Sequence, residues 1–323
     1  MLSFFALARY YSVWIGVKDK MSRFGLAGTI TYDVITMQEK TEHEGLGGIL
    51  YHAALLCALG FHVHLYTNLG LALEAKVHDM TRGWKTLDTV GVHIVPGPGN
   101  RVFLDYPQEG ERVEVLESVV PPIDPSRILE DLPQLDFLVM VFSSGFDVRL
   151  ADWKKVKKKA ACPIWLDLHS LLLERKIGKP RRYVVLPNWQ EWVEGTDYLQ
   201  ANKAEVAALS GYPGSEPDSD KLESFGDEAL GLGVKAVFLT RGEEGVLLME
   251  KTGSRDIPAG KGSPVADSTG CGDVFCAGAA ASLSHGRSPF ESAVFGMRIA
   301  SAAVSLRGVD PIFHLNNVLF SFE

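Results

Sequence analysis

The sequence predicts an α/β protein with a mostly parallel central sheet flanked by helices and a small β-flap beside it. Two observations carry this. Short apolar runs, "RFGLAGTI" (23–30), "HVHLYTNL" (62–69), "FLVMVFSS" (137–144), "PIWLDL" (163–168), "DYLQA" (197–201) and "AVFLTR" (236–241), alternate with segments of helical period over 49–59, 72–89, 149–161, 202–210, 218–232, 273–285 and 289–306. Such alternation implies βαβ units around a parallel sheet, whose ligands bind beyond the carboxyl ends of the strands. The second observation is the one place where the alternation fails: "NRVFLDYPQEGERVEVLESVV" (100–120) reads as two strands around a Gln-Glu-Gly turn with no helix between them. A hairpin of this kind suits a flap outside the main sheet, with 33–40 available to pair with it. No linker or repeat divides the chain, so 21–323 reads as one domain, preceded by an extension over 1–20.

Bulk composition narrows the function classes. With 32 Lys and Arg against 40 Asp and Glu, the formal net charge of -8 argues against a nucleic-acid surface. The one basic run, "KKVKKK" (154–159), reads as the solvated face of a helix. Four cysteines without C-x-x-C spacing indicate neither a zinc site nor a disulfide framework and fit a reduced, cytoplasmic setting. The apolar opening is interrupted by Arg9 and is too short and broken to span a membrane. No P-loop, G-x-S-x-G, H-E-x-x-H or complete G-x-G-x-x-G is present.

Four stretches carry candidate chemistry. In "DSTGCGDVFCAG" (267–278), Gly270, Cys271 and Gly272 run into a run of small apolar residues of helical character. A tight turn there aims unpaired N–H groups outward at the positive end of a helix, a place to hold an anion. Asp273 is then either an ordinary cap or a base beside that anion. In "NKAE" (202–205), Asn202 and Glu205 form a capping box whose place after a strand sets Glu205 near the ligand edge. In "TRGEEG" (240–245), Gly242 and Gly245 permit a hairpin turn and Thr240 offers a hydroxyl to a phosphate or ribose. In "GLGGILYHAALLCALGF" (45–61), Gly47 and Gly48 allow close approach of a ligand to backbone before a helix. His52 shares the face of Leu55, Leu56 and Leu59, as a satisfied core histidine would. Asp33, after "GTITY", is a carboxylate at the end of the first strand, able to hold a hydroxylated ligand or to cap a turn.

Together these residues resemble the ribokinase-like (PfkB) carbohydrate kinase family, over about Arg23 to Asp310. "DSTGCGD" is similar to the family's D-T-x-G-A-G-D signature, with Ser268 at the usual Thr and Cys271 at the usual Ala. Asn202 and Glu205 match its N-x-x-E motif, and Thr240, Gly242 and Gly245 its T-x-G-x-x-G motif. Asp33, Gly47 and Gly48 match the sugar side, while His52 stands where the family usually has Asn. The resemblance implies a three-layer ribokinase-like fold and transfer of phosphate from ATP to a hydroxyl of a small sugar or sugar acid. It makes Asp273 the catalytic base and the N–H groups of Gly270, Cys271 and Gly272 the anion hole. Asn202 and Glu205 organise Mg²⁺ through its waters, and a monovalent cation is left open. A position at a helix N-terminus favours the charged form of Asp273, a handicap for a base that late proton transfer removes.

The flap over 100–120 is expected to close on the sugar, with Arg101 and Asp105 reaching toward it, and the family's flaps often pair in homodimers. Cys271 reads as a small side chain of which only the N–H is used, against the alternative of a reactive thiol. Two other functions compete: a nucleoside kinase of the same superfamily, and a sugar sensor that has lost its chemistry.

Overall fold

The structure, a computed structural model, describes residues 22–37, 40–106, 113–260 and 268–315. The extension over 1–20, the Gln-Glu-Gly turn of the flap and Asp267 lie outside the described residues.

Strand β1 (Arg23–Ala27) leaves the main sheet at Gly28, and the chain enters the flap as β2 (Ile30–Met37) and β3 (Lys40–Gly48). Helix α1 (Leu50–Ala58) leads to β4 (His62–Gly70), α2 (Glu74–Thr81), the short β5 (Leu87–Asp88) and β6 (Val92–Val95), and the flap strands β7 (Asn100–Tyr106) and β8 (Val113–Ser118). There follow α3 (Ser126–Asp131), β9 (Phe137–Val141), α4 (Leu150–Lys159), β10 (Ile164–Asp167), β11 (Pro180–Arg181), α5 (Gln190–Val193), β12 (Tyr198–Asn202), α6 (Lys203–Leu209) and α7 (Ser219–Gly231). The hairpin β13 (Ala236–Thr240) and β14 (Val246–Glu250), then β15 (Gly253–Ile257), α8 (Cys271–Ser284), α9 (Pro289–Ala303) and α10 (Asp310–Phe313) complete it.

The main sheet runs β15-β14-β13-β12-β10-β9-β1-β4-β5, with β6 also beside β4. Its pairings from β13 to β5 are parallel, and β14 and β15 are antiparallel additions at one edge. Strand β9 shows why the expected alternation worked. All five of its residues are buried, with Phe137, Val139 and Val141 in one apolar cluster and Leu138 and Met140 in another. The first cluster takes in α1, α8 and α9, and the second α4, α6 and α7. A sheet covered on both faces gives three layers, the architecture in which parallel strands read as continuous apolar runs. Helices α1 and α8 are themselves buried almost all round, which explains their apolar sequences. Helix α4 instead buries only Trp153 and Val156 and gives Lys154, Lys155, Lys158 and Lys159 to solvent, as the basic run implied, while Lys157 is half-buried with its Nζ donating to the carbonyls of Glu191, Trp192 and Glu194. Among the described residues no helix is long and apolar enough to cross a membrane.

The flap is a second sheet of order β11-β8-β7-β2-β3, larger than the hairpin expected from sequence. The β2 strand pairs in parallel with β7, as the 33–40 segment was expected to do, and antiparallel with β3, a strand the sequence did not reveal. Several boundaries differ. The run 23–30 is broken at Gly28, whose φ of 155° turns the chain from one sheet to the other. Asp33 therefore lies inside the second strand and not at the end of the first. The helical period over 72–89 yields a 3₁₀ turn at Leu71–Leu73, the eight-residue α2, and then strand β5, because the apolar positions after Thr81 belong to strand and loop packing. Helix α8 begins at Cys271, two residues earlier than its period suggested.

Candidate active site

The carboxyl ends of the parallel strands converge on one cavity of about 280 Å³. Register explains part of the convergence: Asn202 and Thr240 are the last residues of β12 and β13 and pair directly across them, while Asp167 and Gln200 pair across β10 and β12. These four side chains line one wall. Thr31 and Asp33, alternate residues of β2, line the opposite wall with Gly48 and Tyr51. The flap roofs the cavity with Val102, Leu104 and Tyr106, whose period of two sets them on one face of β7. Arg101 and Asp105 fall on the other face: Arg101 forms an ion pair with Glu117, Nε to Oε2 2.9 Å, and lies over the Tyr32 and Phe103 rings, and Asp105 accepts a bond from Thr36. They do not line the cavity, contrary to the expectation that they reach a sugar.

The floor is the turn into α8. Gly270, the N-cap, is left-handed (φ 78°, ψ -3°), and a Cβ there would lie 2.5 Å from the Tyr51 ring. Both facts demand glycine. Asp273 sits in the first turn, and its carboxyl takes a bond from its own backbone N–H while the N-cap itself is a glycine with no side chain to offer. Gly270, Gly272 and Asp273 line the cavity. Cys271 does not, and its N–H turns back to the Ser268 carbonyl at 3.2 Å, so it is engaged within the turn rather than aimed into the cavity. The Asp273 side chain keeps 27 % of its surface open toward that space. Burial nevertheless pushes its carboxyl from 3.8 up to about 6; His169 pulls it down and Glu205 raises it. The helix N-terminus, expected to favour the charge, is outweighed by desolvation.

Asn202 and Glu205 form the capping box read from sequence. Glu205 N–H donates to Asn202 Oδ1 at 2.9 Å, and Asn202 N–H to Glu205 Oε2 at 2.9 Å. Glu205 Oε1 also accepts from Asn202 Nδ2 at 2.7 Å and lies 3.1 Å from His169 Nδ1. Asp167, His169 and Glu205 bring one possible metal-ligand atom each within 4.8 Å of one another. Burial and the Glu205 charge raise the Asp167 carboxyl well above its usual range, so a cation would relieve strain in this cluster. Burial opposes the charge on His169, while Glu205 and Asp167 raise its pKa. His169 is left-handed (φ 27°) and its N–H donates to Asp167 Oδ1 at 3.1 Å. Because both Glu205 oxygens already accept bonds, a hard divalent ion that retains several waters fits this donor set through those waters.

Gly47 lies one residue back from the cavity, where a Cβ would fall 2.0 Å from Asp33 Oδ2. Its role is to let β3 pass against that carboxylate. Gly242 and Gly245 do not line the cavity either, and instead form the 3₁₀ turn joining β13 to β14, of which Thr240 alone reaches the site. His52 is wholly buried beneath the floor, its Nδ1 3.5 Å from Asp273 Oδ1, and neither ring nitrogen has a hydrogen-bond partner. It is a core histidine, but not a satisfied one. Sequence reading missed Asp167, His169, Gln200 and Glu114. Asp167 ends the apolar strand β10 and His169 follows it by two residues, a position at which the parallel-sheet rule already points to ligands.

Comparison with known proteins agrees with this geometry. Residues 169–313 match the pfkB family carbohydrate kinase. A ribokinase of Arabidopsis thaliana is 30% identical over 161 residues, 49% of this chain and 38% of that protein's length, so the match spans well under half of the relative. The solved structure of Arabidopsis thaliana ribokinase complexed with ribose and ATP superposes with a TM-score of 0.74 at 19% identity, covering 94% of this chain and all of that one. A nucleoside kinase of Methanocaldococcus jannaschii, an archaeal member of the ribokinase family, superposes with a TM-score of 0.68 at 16% identity, covering 95% and 100%. With three layers, a flap and a glycine turn carrying an acid at the start of α8, this chain has the ribokinase-like fold, and its residues 169–313 are similar to the pfkB family carbohydrate kinases.

Proposed function

We propose that the protein transfers the γ-phosphoryl group of ATP to a hydroxyl of a small, neutral sugar or related polyol, with Asp273 as the base. One observation carries the reading: one cavity is lined together by Asp273, Gly270 and Gly272 at the start of α8, by Asp33 and Gly48 from the flap strands, and by Asn202, Glu205 and Thr240 at or just after the carboxyl ends of β12 and β13. An acceptor held by Asp33 presents a hydroxyl to Asp273, which takes its proton as the oxygen attacks phosphorus. The N–H groups at the start of α8 face the transferring group, where charge accumulates on the equatorial oxygens. Cys271 N–H joins them only if its bond to Ser268 opens. Little covalent work is asked of the protein in such a transfer, so positioning dominates.

Mg²⁺, held through water by Glu205 and Asn202 with Asp167 beside them, would neutralise phosphate charge when bound. The flap residues Val102, Leu104 and Tyr106 exclude water, which otherwise competes as acceptor. Pairing of two such flaps in a homodimer, in a cytoplasmic setting, belongs to the same reading.

The acceptor class follows from charge. Asp33, Glu114, Asp167, Glu205 and Asp273 line the cavity, and among the described residues no lysine or arginine does. Although Glu114 is paired with the buried Arg181 and Glu205 with His169, the lining offers a sugar acid no lysine or arginine, while its carboxyl groups suit an array of hydroxyl donors. Tyr51 and Tyr106 on the lining give the nucleoside kinase reading its one support, since they could stack on a base. The volume, at the small end for ligand pockets, favours a sugar alone.

The test is release of ADP from Mg²⁺-ATP with a panel of neutral sugars, polyols, sugar acids and nucleosides. Acceptor-dependent turnover is expected with neutral polyols and should fall about 10²–10⁴-fold in Asp273→Asn while nucleotide binding persists. Near-normal turnover in that variant would remove Asp273 from the chemistry, and binding of acceptors without any turnover would turn the reading to a sensor.

A further inference from the structure

His52 is the group in the molecule whose chemistry the proposed reaction leaves unused. It lies on α1, is 0 % exposed, and presents Nδ1 3.5 Å from Oδ1 of Asp273 on α8. Neither of its ring nitrogens has a hydrogen-bond partner in the protein. A fully buried imidazole of this kind costs stability unless another role retains it. An ionised carboxylate offers only acceptors, so the neutral tautomer that serves Asp273 carries its proton on Nδ1. We infer that His52 is the positioning residue of the base: its neutral Nδ1–H holds Asp273 Oδ1, leaving the other oxygen turned into the cavity toward the acceptor hydroxyl.

The alternative fate of that carboxylate shows why such a residue is useful. Asp273 is in the first turn of α8, where its carboxyl already takes a bond from its own backbone N–H and could turn further onto the other open N–H groups of the helix. That conformation would consume the base and fill the anion site with a side chain. A donor placed beneath Oδ1, on a different helix, opposes the swing. The neutrality of His52 is secured by its surroundings. Burial first, and then the nearby His169 charge, lower its pKa to about 3, so it acts as a dipole and not as a cation. The charged or titratable groups acting on Asp273 are His52 from α1, His169 from the turn after β10, and Glu205 from α6, and Asp167 of β10 feels the Asp273 charge in turn.

The inference rests on the kinase reading for its meaning, but its test does not need turnover. The Asp273 carboxyl is followed by ¹³C NMR across pH in the full chain, its resonance identified by its loss in Asp273→Asn. His52→Asn, His52→Gln and His52→Leu are compared with the parent, and acceptor-dependent ADP release is measured alongside. An Asn amide reproduces the position of Nδ1, a Gln amide reproduces Nε2, and Leu supplies no donor. His52→Asn is expected to keep the Asp273 midpoint, while His52→Gln and His52→Leu raise it by about one unit, because a donor to the charged form is lost. Where an acceptor turns over, the same two variants should lose roughly ten- to a hundredfold in kcat with little change in KM, and His52→Asn should keep most of it. An unchanged midpoint in all three variants overturns the inference, as does an equal shift in all three, which would mark a packing effect. Acceptor binding without ADP release in the parent overturns the kinase reading instead, whatever the Asp273 midpoint does in the His52 variants.

Discussion

Lowering the pH is the perturbation that tests the base most directly. Asp273 must be ionised to accept a proton, and burial raises its carboxyl from 3.8 to about 6. The competing helix N-terminus is worth about 0.3–1 kcal/mol at most exposed sites, less than one pKa unit, so it cannot restore the ordinary value. The sign is fixed: the active, charged form is lost as pH falls through about 6, so kcat/KM for the acceptor must decline below that point. One unit lower, at about pH 5, about a tenth of the base is ionised and the rate is down roughly tenfold, whereas a carboxylate at its ordinary pKa would lose only about 6 %. The assay is ADP release over roughly pH 4.5 to 8 at saturating Mg²⁺-ATP, with folding monitored at each pH by far- and near-UV circular dichroism. Activity that stays flat to about pH 4.5 in folded protein would refute the claim that desolvation governs this base.

Two further outcomes follow from the floor of the cavity. Gly270→Ala places a methyl group 2.5 Å from the Tyr51 ring on a left-handed backbone, and should cost about 2–4 kcal/mol in denaturant unfolding while abolishing most turnover. A loss below about 0.5 kcal/mol would mean that the turn relaxes freely. Cys271→Ala should leave kcat within about twofold of the parent and abolish any inactivation by thiol reagents, because the side chain lies off the cavity and supplies no atom to it. A larger loss would assign the thiol itself a part.

Much of this architecture could be read from local pattern. Strands such as β9 and β13 are apolar throughout because both faces of the sheet are covered, and that pattern survives in sequence. The capping box of Asn202 and Glu205 and the glycine turn before Asp273 were equally legible, since each is a short-range device. What stayed hidden depends on distant pairing. Strand β3, "KTEHEGLGG", has little β-propensity and exists because β2 offers it an edge. The orientation of Arg101 and Asp105 turns on which face of β7 meets the cavity, a choice made by the register with β2. The sign of the Asp273 shift was missed for a similar reason. A helix N-terminus is visible in a sequence, whereas the packing that desolvates a carboxylate comes from α1 and β10, far from it in the chain.

The parallel pairing of β2 with β7 also constrains the order in which the molecule assembles. The β2–β3 hairpin closes locally, but the neighbouring pair joins Thr36 to Asp105 across 69 residues, with α1 and β4 of the main sheet in between. Closing so long a loop is entropically costly until the intervening segment has collapsed, and contacts of this span slow folding. The lid, like the still less local pairing of Phe24 with Phe137 in the main sheet, is therefore completed after the local helices. Slow recovery of catalysis after refolding, trailing the recovery of helical signal, is its kinetic signature.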